Sequence, residues 1–154
     1  ANIQPKNNTD ISHRGYRTAG IKDNSAEAFI LAGEKGFWGC EADVRFDANG
    51  NLVCSHNTVQ KGQNPPTFEQ YLDICKEYGM TAIIDLKYEK GVGPADPYLS
   101  PAILKSIEIY LKMEGYNVIL TENGKEALKA LENNEVHCII LDINNKCKII
   151  HHHQ

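Results

Sequence analysis

Hydrophobic and polar positions alternate with two different periods along the first half of the chain. The pattern predicts a strand at 11–12, a helix at 24–36, a strand at 39–47 and a partner strand at 52–56. Ala28, Leu31 and Ala32 share one face of the predicted helix. The Asn49-Gly50 pair between the two later strands predicts a tight hairpin turn. A strand–helix unit followed by a hairpin is therefore expected.

The second half continues the alternation of strands and helices. The pattern predicts a helix at 67–79, a strand at 81–87, a helix at 100–115, a strand at 117–124, a helix at 125–134 and a strand at 137–145. Thr67 is the expected N-cap of the first of these helices, and Gly79 ends it. Strands that alternate with helices form mainly parallel sheets. We therefore predict an α/β protein with about five parallel strands and four helices, plus a short hairpin strand.

The chain length leaves two architectures open. At 154 residues the chain is about one domain, and it is short for a closed eight-stranded barrel of roughly 200 residues or more. The fold is expected to be either half of a TIM-like barrel or an open flavodoxin-like sandwich. A half-barrel would expose two parallel edges and an unfilled interior. We expect closure by a homodimer or relaxation into an open sheet covered on both faces.

Composition narrows the range of partners. The net charge of −4, with no run rich in Lys and Arg, argues against nucleic acid. No apolar stretch approaches the ~18 residues of a membrane span, so no membrane association is expected. The five cysteines are odd in number and lack CxxC spacing, which indicates buried thiols rather than disulfides or a zinc site. The terminal His run at 151–154 is interpreted as a remnant of a purification tag.

Acidic and basic side chains recur at the ends of the predicted strands. They are His13 and Arg14 on the first strand, Glu41 and Asp43 on the second, His56 on the hairpin strand, and Asp85 and Lys87 on the third. Side chains two apart on a strand point to one side, and parallel strands end at one edge. Carboxylates favour Mg²⁺ or Ca²⁺, Arg and Lys favour phosphate, and paired histidines allow proton transfer. A cation site for a small phosphate or phosphodiester ligand is therefore predicted.

Four stretches of the chain resemble one enzyme family. The stretches "SHRGY", "NSAEAF", "GCEADVRFDANGNLVCSHN" and "AIIDLK" resemble the first part of the glycerophosphodiester phosphodiesterases, which are metal-dependent TIM barrels. The resemblance implies that a glycerol hydroxyl of the substrate attacks phosphorus and that an alcohol leaves. Residues 1–107 are therefore predicted to form a half-barrel fragment of this type.

The resemblance also implies a role for each residue of the predicted site. The implied roles are general acid and base for His13 and His56, phosphate contact for Arg14 and Lys87, and cation ligand for Glu41, Asp43 and Asp85. Three positions depart from the family's pattern. Asp23 lies where the family usually has Glu near the first helix, Asn57 lies where Asp is usual, and Asp85 lies where Glu is usual. The shorter Asp85 changes the reach of one cation ligand.

The segment "YLKMEGYNVILTENGKEALKALENNEVHCIILDIN" resembles a different family, the receiver domain of response regulators. Residues 108–150 are therefore interpreted as a receiver-like fragment, in which the resemblance makes Asp142 the phosphoryl acceptor. The acidic pair that follows a receiver's first strand has no counterpart in this chain. Because a phosphoaspartate site needs Mg²⁺ ligands, Asp142 is interpreted as a strand-end residue of a scaffold piece.

The join between the two resemblances falls inside the predicted helix at 100–115. Natural domain boundaries usually fall in exposed loops. We interpret the chain as an engineered or recombined chimera of α/β fragments that fold together as one domain. This interpretation predicts weak Mg²⁺ or Ca²⁺ binding, with phosphodiester hydrolysis near background. The alternatives are an active metal-dependent phosphodiesterase and, last, a phosphorelay module.

Overall fold

The polypeptide alternates strands and helices as its sequence pattern predicts. A computed structural model describes residues 10–87, 100–121 and 138–141. In chain order the elements are β1 (Ile11–His13), α1 (Ala26–Glu34), β2 (Gly39–Phe46), β3 (Leu52–Cys54), α2 (Phe68–Tyr78), β4 (Thr81–Leu86), α3 (Ser100–Met113), β5 (Val118–Thr121) and β6 (Cys138–Leu141). The predicted helix at 125–134 lies outside the described residues.

Five of the strands form a parallel sheet in the order β1-β2-β4-β6-β5. The short strand β3 pairs antiparallel with β2, and Phe46 lies opposite Leu52 at the end of the hairpin. Gly50 in the connecting turn has a φ of 81°, a conformation that glycine adopts without steric cost. The prediction of a mainly parallel sheet with one hairpin strand is therefore confirmed.

The strand order differs from that of a barrel at one place. In a barrel each strand lies beside its successor, and β1, β2 and β4 follow that rule. β6 instead lies between β4 and β5, so the connection through α3 skips one strand position. β1 and β5 form the two ends of the described sheet. The first three parallel strands have the order expected of a half-barrel, and the last two depart from that order.

Helix α2 begins and ends at the residues that the sequence indicates. The Thr67 hydroxyl accepts a hydrogen bond from Gln70 N at 3.1 Å, and Gln70 Oε1 accepts one from Thr67 N at 2.8 Å. This reciprocal pair is a capping box. Gly79 ends the helix in the left-handed conformation, at a φ of 65°. In the part of the chain that the structure describes, no helix has the length and hydrophobicity to span a bilayer.

Helix α1 is shorter than the predicted 24–36, because Ser25 caps it by accepting a hydrogen bond from Ala28 N at 3.1 Å. Its buried side chains are Ala28, Phe29, Ala32 and Gly33. The predicted apolar stripe included Leu31, which is only partly buried. A Cβ on Gly33 would lie 2.3 Å from Tyr78 Cγ of α2. The helix therefore turns Gly33 toward α2.

The helix-covered face of the sheet forms the main apolar core. Its strand residues are Cys40, Ala42 and Val44 on β2, Cys54 on β3, Ala82, Ile84 and Leu86 on β4, and Cys138 and Ile140 on β6. Tyr71 of α2 packs here against Phe29, with ring centroids 5.0 Å apart, and its hydroxyl donates to Cys40 O at 2.6 Å. The four described cysteines are buried free thiols, as predicted, and Cys147 lies outside the described residues. Burial raises the pKa of Cys138 to about 12.

Candidate functional site

Strand register brings three acidic side chains together on the other face of the sheet. Asp43 on β2 lies beside Asp85 on β4, and Glu41 lies two residues before Asp43 on the same side. One oxygen from each carboxylate lies within 4.8 Å of the others. The predicted cluster is therefore present, although Glu41 and Asp43 lie within β2 and not at its end. β2 continues to Phe46 because its last three residues pair with β3.

The acid cluster, Glu41, Asp43 and Asp85, fits a hard divalent cation. Glu41 and Asp43 are 0% and 1% exposed, and Asp85 is partly buried. Glu41 Oε1 accepts a hydrogen bond from Arg14 N at 3.0 Å, whereas Oε2 has no hydrogen-bond partner among the described residues. Burial, and then the charges of Asp43 and Asp85, raise the pKa of Glu41 well above its usual range. A divalent cation would satisfy the unpartnered oxygen and neutralise the crowded charge.

Arg14 lies against the acid cluster in a rare backbone conformation. Its φ is 60°, and Gly15 follows with a φ of 81°. A Cβ on Gly15 would lie 2.6 Å from the Ala28 carbonyl carbon, so this turn requires glycine. Arg14 Nε lies 3.0 Å from Asp43 Oδ2, and Nη1 lies 3.1 Å from Asp23 Oδ2. The guanidinium therefore bridges the buried carboxylate of Asp43 and the more exposed carboxylate of Asp23.

Lys87 follows β4 and contacts two members of the acid cluster. Its Nζ lies 3.0 Å from Asp85 Oδ2 and 3.6 Å from Asp43 Oδ1. Burial by itself lowers the pKa of Lys87, but the Asp85 carboxylate, followed by Asp43 and Glu41, raises it by more. The pKa of Lys87 is therefore raised overall, and the ammonium is charged at neutral pH. Two positive side chains, Arg14 and Lys87, border the cluster as the sequence predicts.

A pocket of about 540 Å³ opens beside Arg14, and its wall includes Asp23, His56 and Asn57. His56 is exposed, and its Nδ1 lies 3.0 Å from Asn57 Oδ1. Its carbonyl oxygen accepts a hydrogen bond from Arg45 Nη1 at 2.8 Å, which fixes the chain as it leaves β3. The structure thus brings one predicted histidine and the predicted phosphate-binding arginine to a single pocket.

The second predicted histidine lies next to the acid cluster on the neighbouring strand. His13 ends β1, is partly buried and is in register with Glu41. Partners in a parallel register point to the same side of the sheet. The predicted site residues on this face are His13, Glu41, Asp43 and Asp85. Asp142, the implied phosphoryl acceptor, lies outside the described residues.

Sequence reasoning missed two buried polar residues of the site. Arg45 is 6% exposed and lies two residues after Asp43, so the period-two pattern of β2 could have indicated it. Asn24 is also 6% exposed, and it exchanges two hydrogen bonds with Asp43. These bonds span 19 positions in sequence. No local pattern indicates a contact of that range.

No family model and no curated protein matches the chain. Solved structures with a similar fold include one described as a glycerophosphoryl diester phosphodiesterase from Silicibacter pomeroyi, with a TM-score of 0.57 and 16% identity over 91% of this chain and 66% of that chain. A structure described as a glycerophosphodiester phosphodiesterase from Galdieria sulphuraria has a TM-score of 0.55 and 18% identity over 94% of this chain and 67% of that chain. A third structure, from Agrobacterium tumefaciens, has a TM-score of 0.51 and 13% identity over 92% and 78%. These similarities show a shared α/β fold.

Proposed function

We propose that the chain binds a divalent cation at Glu41, Asp43 and Asp85, together with the phosphate group of a small phosphodiester. The observation that carries this proposal is the cluster of three carboxylate oxygens within 4.8 Å. One buried oxygen of Glu41 in that cluster has no hydrogen-bond partner among the described residues. The fold shared with structures described as phosphodiesterases agrees with the proposal.

The basic residues supply the contacts that a phosphate group needs. A divalent cation, Mg²⁺ or Ca²⁺, would polarise a phosphoryl oxygen when bound. The planar guanidinium of Arg14 can donate to two phosphate oxygens, and Lys87 supplies a compact positive charge. Asp23 Oδ2 lies 3.1 Å from Arg14 Nη1, and both residues line the pocket. The pocket of about 540 Å³ has the size of a small-molecule site.

A second candidate function is hydrolysis of the phosphodiester. It is favoured by His56 in the pocket of Arg14 and by the register of His13 with Glu41. One histidine would accept the proton of the attacking hydroxyl, and the other would donate a proton to the leaving alcohol oxygen. Both transfers need positions accurate to about half an ångström. Because the described sheet ends at β1 and β5 and does not close on itself, we expect hydrolysis near background.

The chimera remains a hypothesis, with a phosphodiesterase-like fragment at 1–107 and a receiver-like fragment at 108–150. The strand order does not add to it, because β5 pairs with β6, whereas the corresponding strands of a flavodoxin-like sheet lie on opposite sides of the strand that precedes them. A phosphorelay role would require Asp142 to accept a phosphoryl group. After incubation with acetyl phosphate and Mg²⁺, mass spectrometry is expected to show no phosphate on Asp142.

The homodimer also stays a prediction, and light scattering can test it.

Calorimetric titration of chelator-treated protein tests the cation site. Weak binding of Mg²⁺ or Ca²⁺ is expected, and Glu41→Ala should abolish it because the buried ligand is lost. Glu77→Ala, on an exposed position of α2, is the matched control and should bind as the parent protein does. A parent protein that binds neither cation would refute the proposal.

Phosphate binding and hydrolysis are tested separately. Glycerol 3-phosphate is the probe, and its binding should require the cation and weaken in Lys87→Gln. Equal binding with and without cation would contradict a shared site. Turnover of glycerophosphocholine at ordinary enzyme rates, lost in His13→Ala, would establish the hydrolase and refute the expectation of background activity.

A further inference from the structure

Asn24 is a buried polar residue to which the proposed function gives no role. It lies between β1 and α1, is 6% exposed and has a left-handed φ of 53°. Arg14 is the other non-glycine residue with positive φ in the described ranges. The two form a hydrogen bond with each other, from Asn24 N to Arg14 O at 2.9 Å. Both rare conformations therefore belong to one turn beside the acid cluster, the kind of place where such conformations concentrate.

The side-chain amide of Asn24 contacts Asp43 through both of its ends. Nδ2 donates to Asp43 Oδ2 at 3.0 Å, and Oδ1 accepts from Asp43 N at 3.1 Å. The orientation of the amide is defined, because an ionised carboxylate only accepts and a backbone N–H only donates. The two bonds close a ring that includes both the main chain and the carboxylate of Asp43.

This ring fixes how Asp43 presents its two oxygens. Oδ2 accepts from Asn24 and lies 3.0 Å from Arg14 Nε. Oδ1 lies 3.6 Å from Lys87 Nζ, which itself contacts Asp85. Rotation of the carboxylate would break a buried hydrogen bond to a charged group, which is an expensive change. Asn24 thus holds Asp43 in one orientation relative to the rest of the cluster.

Asparagine meets two requirements at this position. Asn populates the left-handed region more readily than most other non-glycine residues. Glycine would allow the same backbone conformation but would supply no amide. Aspartate would place a second negative charge against Asp43 and would have no N–H to donate to it. Asn therefore combines the backbone conformation and the donor–acceptor pair.

We propose that Asn24 is a positioning residue of the cation site, one that holds Asp43 in its ligating orientation; this inference rests on the proposed cation binding. Groups that orient metal ligands typically change metal affinity by about 10- to 100-fold when they are removed. Loss of the Asn24 amide should therefore raise the Kd for Mg²⁺ or Ca²⁺ by about tenfold or more. This loss removes two hydrogen bonds and no apolar contact of the helix-covered core, so we expect a folded protein of somewhat lower stability.

Asn24→Gly is the test variant, because it removes the amide and keeps the left-handed backbone accessible. Ser25→Ala is the matched control in the same loop: it removes the cap of α1 at Ala28 N. The cation Kd is measured by calorimetry well below the unfolding temperature of each protein. Asn24→Gly should lose affinity, whereas Ser25→Ala should lose thermal stability and keep its Kd within about twofold.

A second measurement does not involve a cation. Three-bond NMR couplings of Asp43 should report a single χ1 rotamer in the parent protein and averaging in Asn24→Gly. An unchanged Kd in Asn24→Gly, with the parent protein binding cation, would overturn the positioning role and leave the proposed function intact. A parent protein that binds no cation would overturn the proposed function itself, and this role with it.

Two further outcomes would also overturn the positioning role. An equal loss of affinity in Ser25→Ala would assign the effect to the loop as a whole. If Asn24→Gly does not fold, Asn24→Ala takes its place, and the same loss of affinity is expected. Failure of both variants to fold would make Asn24 a structural residue only.

Discussion

Alternate residues of β2 enter two different environments. On one side Cys40, Ala42 and Val44 pack into the helix-covered core, and on the other side Glu41 and Asp43 form the acid cluster. All five residues are at most 1% exposed. The two faces therefore differ in the chemistry of their neighbours and not in their contact with solvent. Burial stabilises the apolar set and raises the free energy of the charged set unless it is paired or protonated.

β4 shows how the charged face is kept away from water. Ile83 is fully buried and lies in register with Glu41, so an aliphatic side chain flanks the carboxylate. Asp85 follows two residues later and is paired with Lys87. An apolar neighbour reduces the solvation of a charge, which agrees with the raised pKa of Glu41. The same strands thus supply a rigid apolar support on one face and a poorly solvated acid cluster on the other.

The largest expected effect is a loss of stability on the apolar face. Ile84→Ala should lower the free energy of unfolding by about 2 to 5 kcal/mol, because it leaves a cavity in a fully buried position. Urea unfolding measures the change. Met113→Ala, at a side chain that is 81% exposed, is the control and should stay within about 0.5 kcal/mol. Loss of cation binding in folded Ile84→Ala would show that the two faces are not independent.

The next effect separates stability from binding on the charged face. Glu41→Gln replaces a carboxyl group whose charged form is disfavoured by burial, so the cation-free protein should be at least as stable as the parent protein at pH 7. The same change should weaken cation binding by about 100-fold or more, because a neutral amide oxygen replaces a carboxylate. Thermal unfolding and calorimetry measure the two quantities, with Glu77→Gln as control. A clearly less stable Glu41→Gln would contradict the desolvation of Glu41.

A smaller effect is expected from pH. The pKa of Glu41 is raised in the folded protein, so its contribution to stability is full below the unfolded pKa and is lost as pH rises through the folded pKa. A cation competes with the proton that Glu41 binds. The Kd should therefore fall as the pH rises, by up to about tenfold per pH unit if one proton is released on binding. Calorimetry in buffers of different ionisation enthalpy counts that proton, and a Kd independent of pH would contradict the prediction.

The smallest effect concerns the buried hydrogen bond between the Tyr71 hydroxyl of α2 and the main chain of β2. Tyr71→Phe removes the donor to Cys40 O, 2.6 Å away, and keeps the ring packing against Phe29. Stability should fall by about 1 kcal/mol, and cation binding should not change. Tyr110→Phe, at a residue that is 43% exposed, is the control in the same urea experiment. A Tyr71→Phe protein as stable as this control would show that the buried bond contributes nothing.

Features that depend on near neighbours could be predicted from the sequence. The cap at Thr67 and the stop at Gly79 follow from side-chain and backbone properties of single residues. The acid cluster was also predictable, because period two fixes the side of Glu41 and Asp43. The length of β2 was not, because it depends on pairing with β3 and β4.

Features that depend on distant parts of the chain could not be predicted. The strands "VILT" and "CIIL" are both short and apolar, so either one could pair with β4, and the sequence pattern does not distinguish them. The contact of Asn24 with Asp43 depends on where the loop after β1 returns to the sheet. Both outcomes are decided by tertiary packing, which short-range patterns do not encode.

Strand β2 is hydrogen-bonded to three strands, β1, β3 and β4, whereas β1 has three residues and lies at one end of the described sheet. Amide hydrogens of β2 should exchange with deuterium slowly, because several ladders must separate first, and those of β1 should exchange early. Glu41 and Asp43 therefore belong to the slowly opening part of the molecule, and His13 and Arg14 to the quickly opening part. His13 and Arg14 are therefore expected to separate from the site and return while Glu41, Asp43 and Lys87 stay in place.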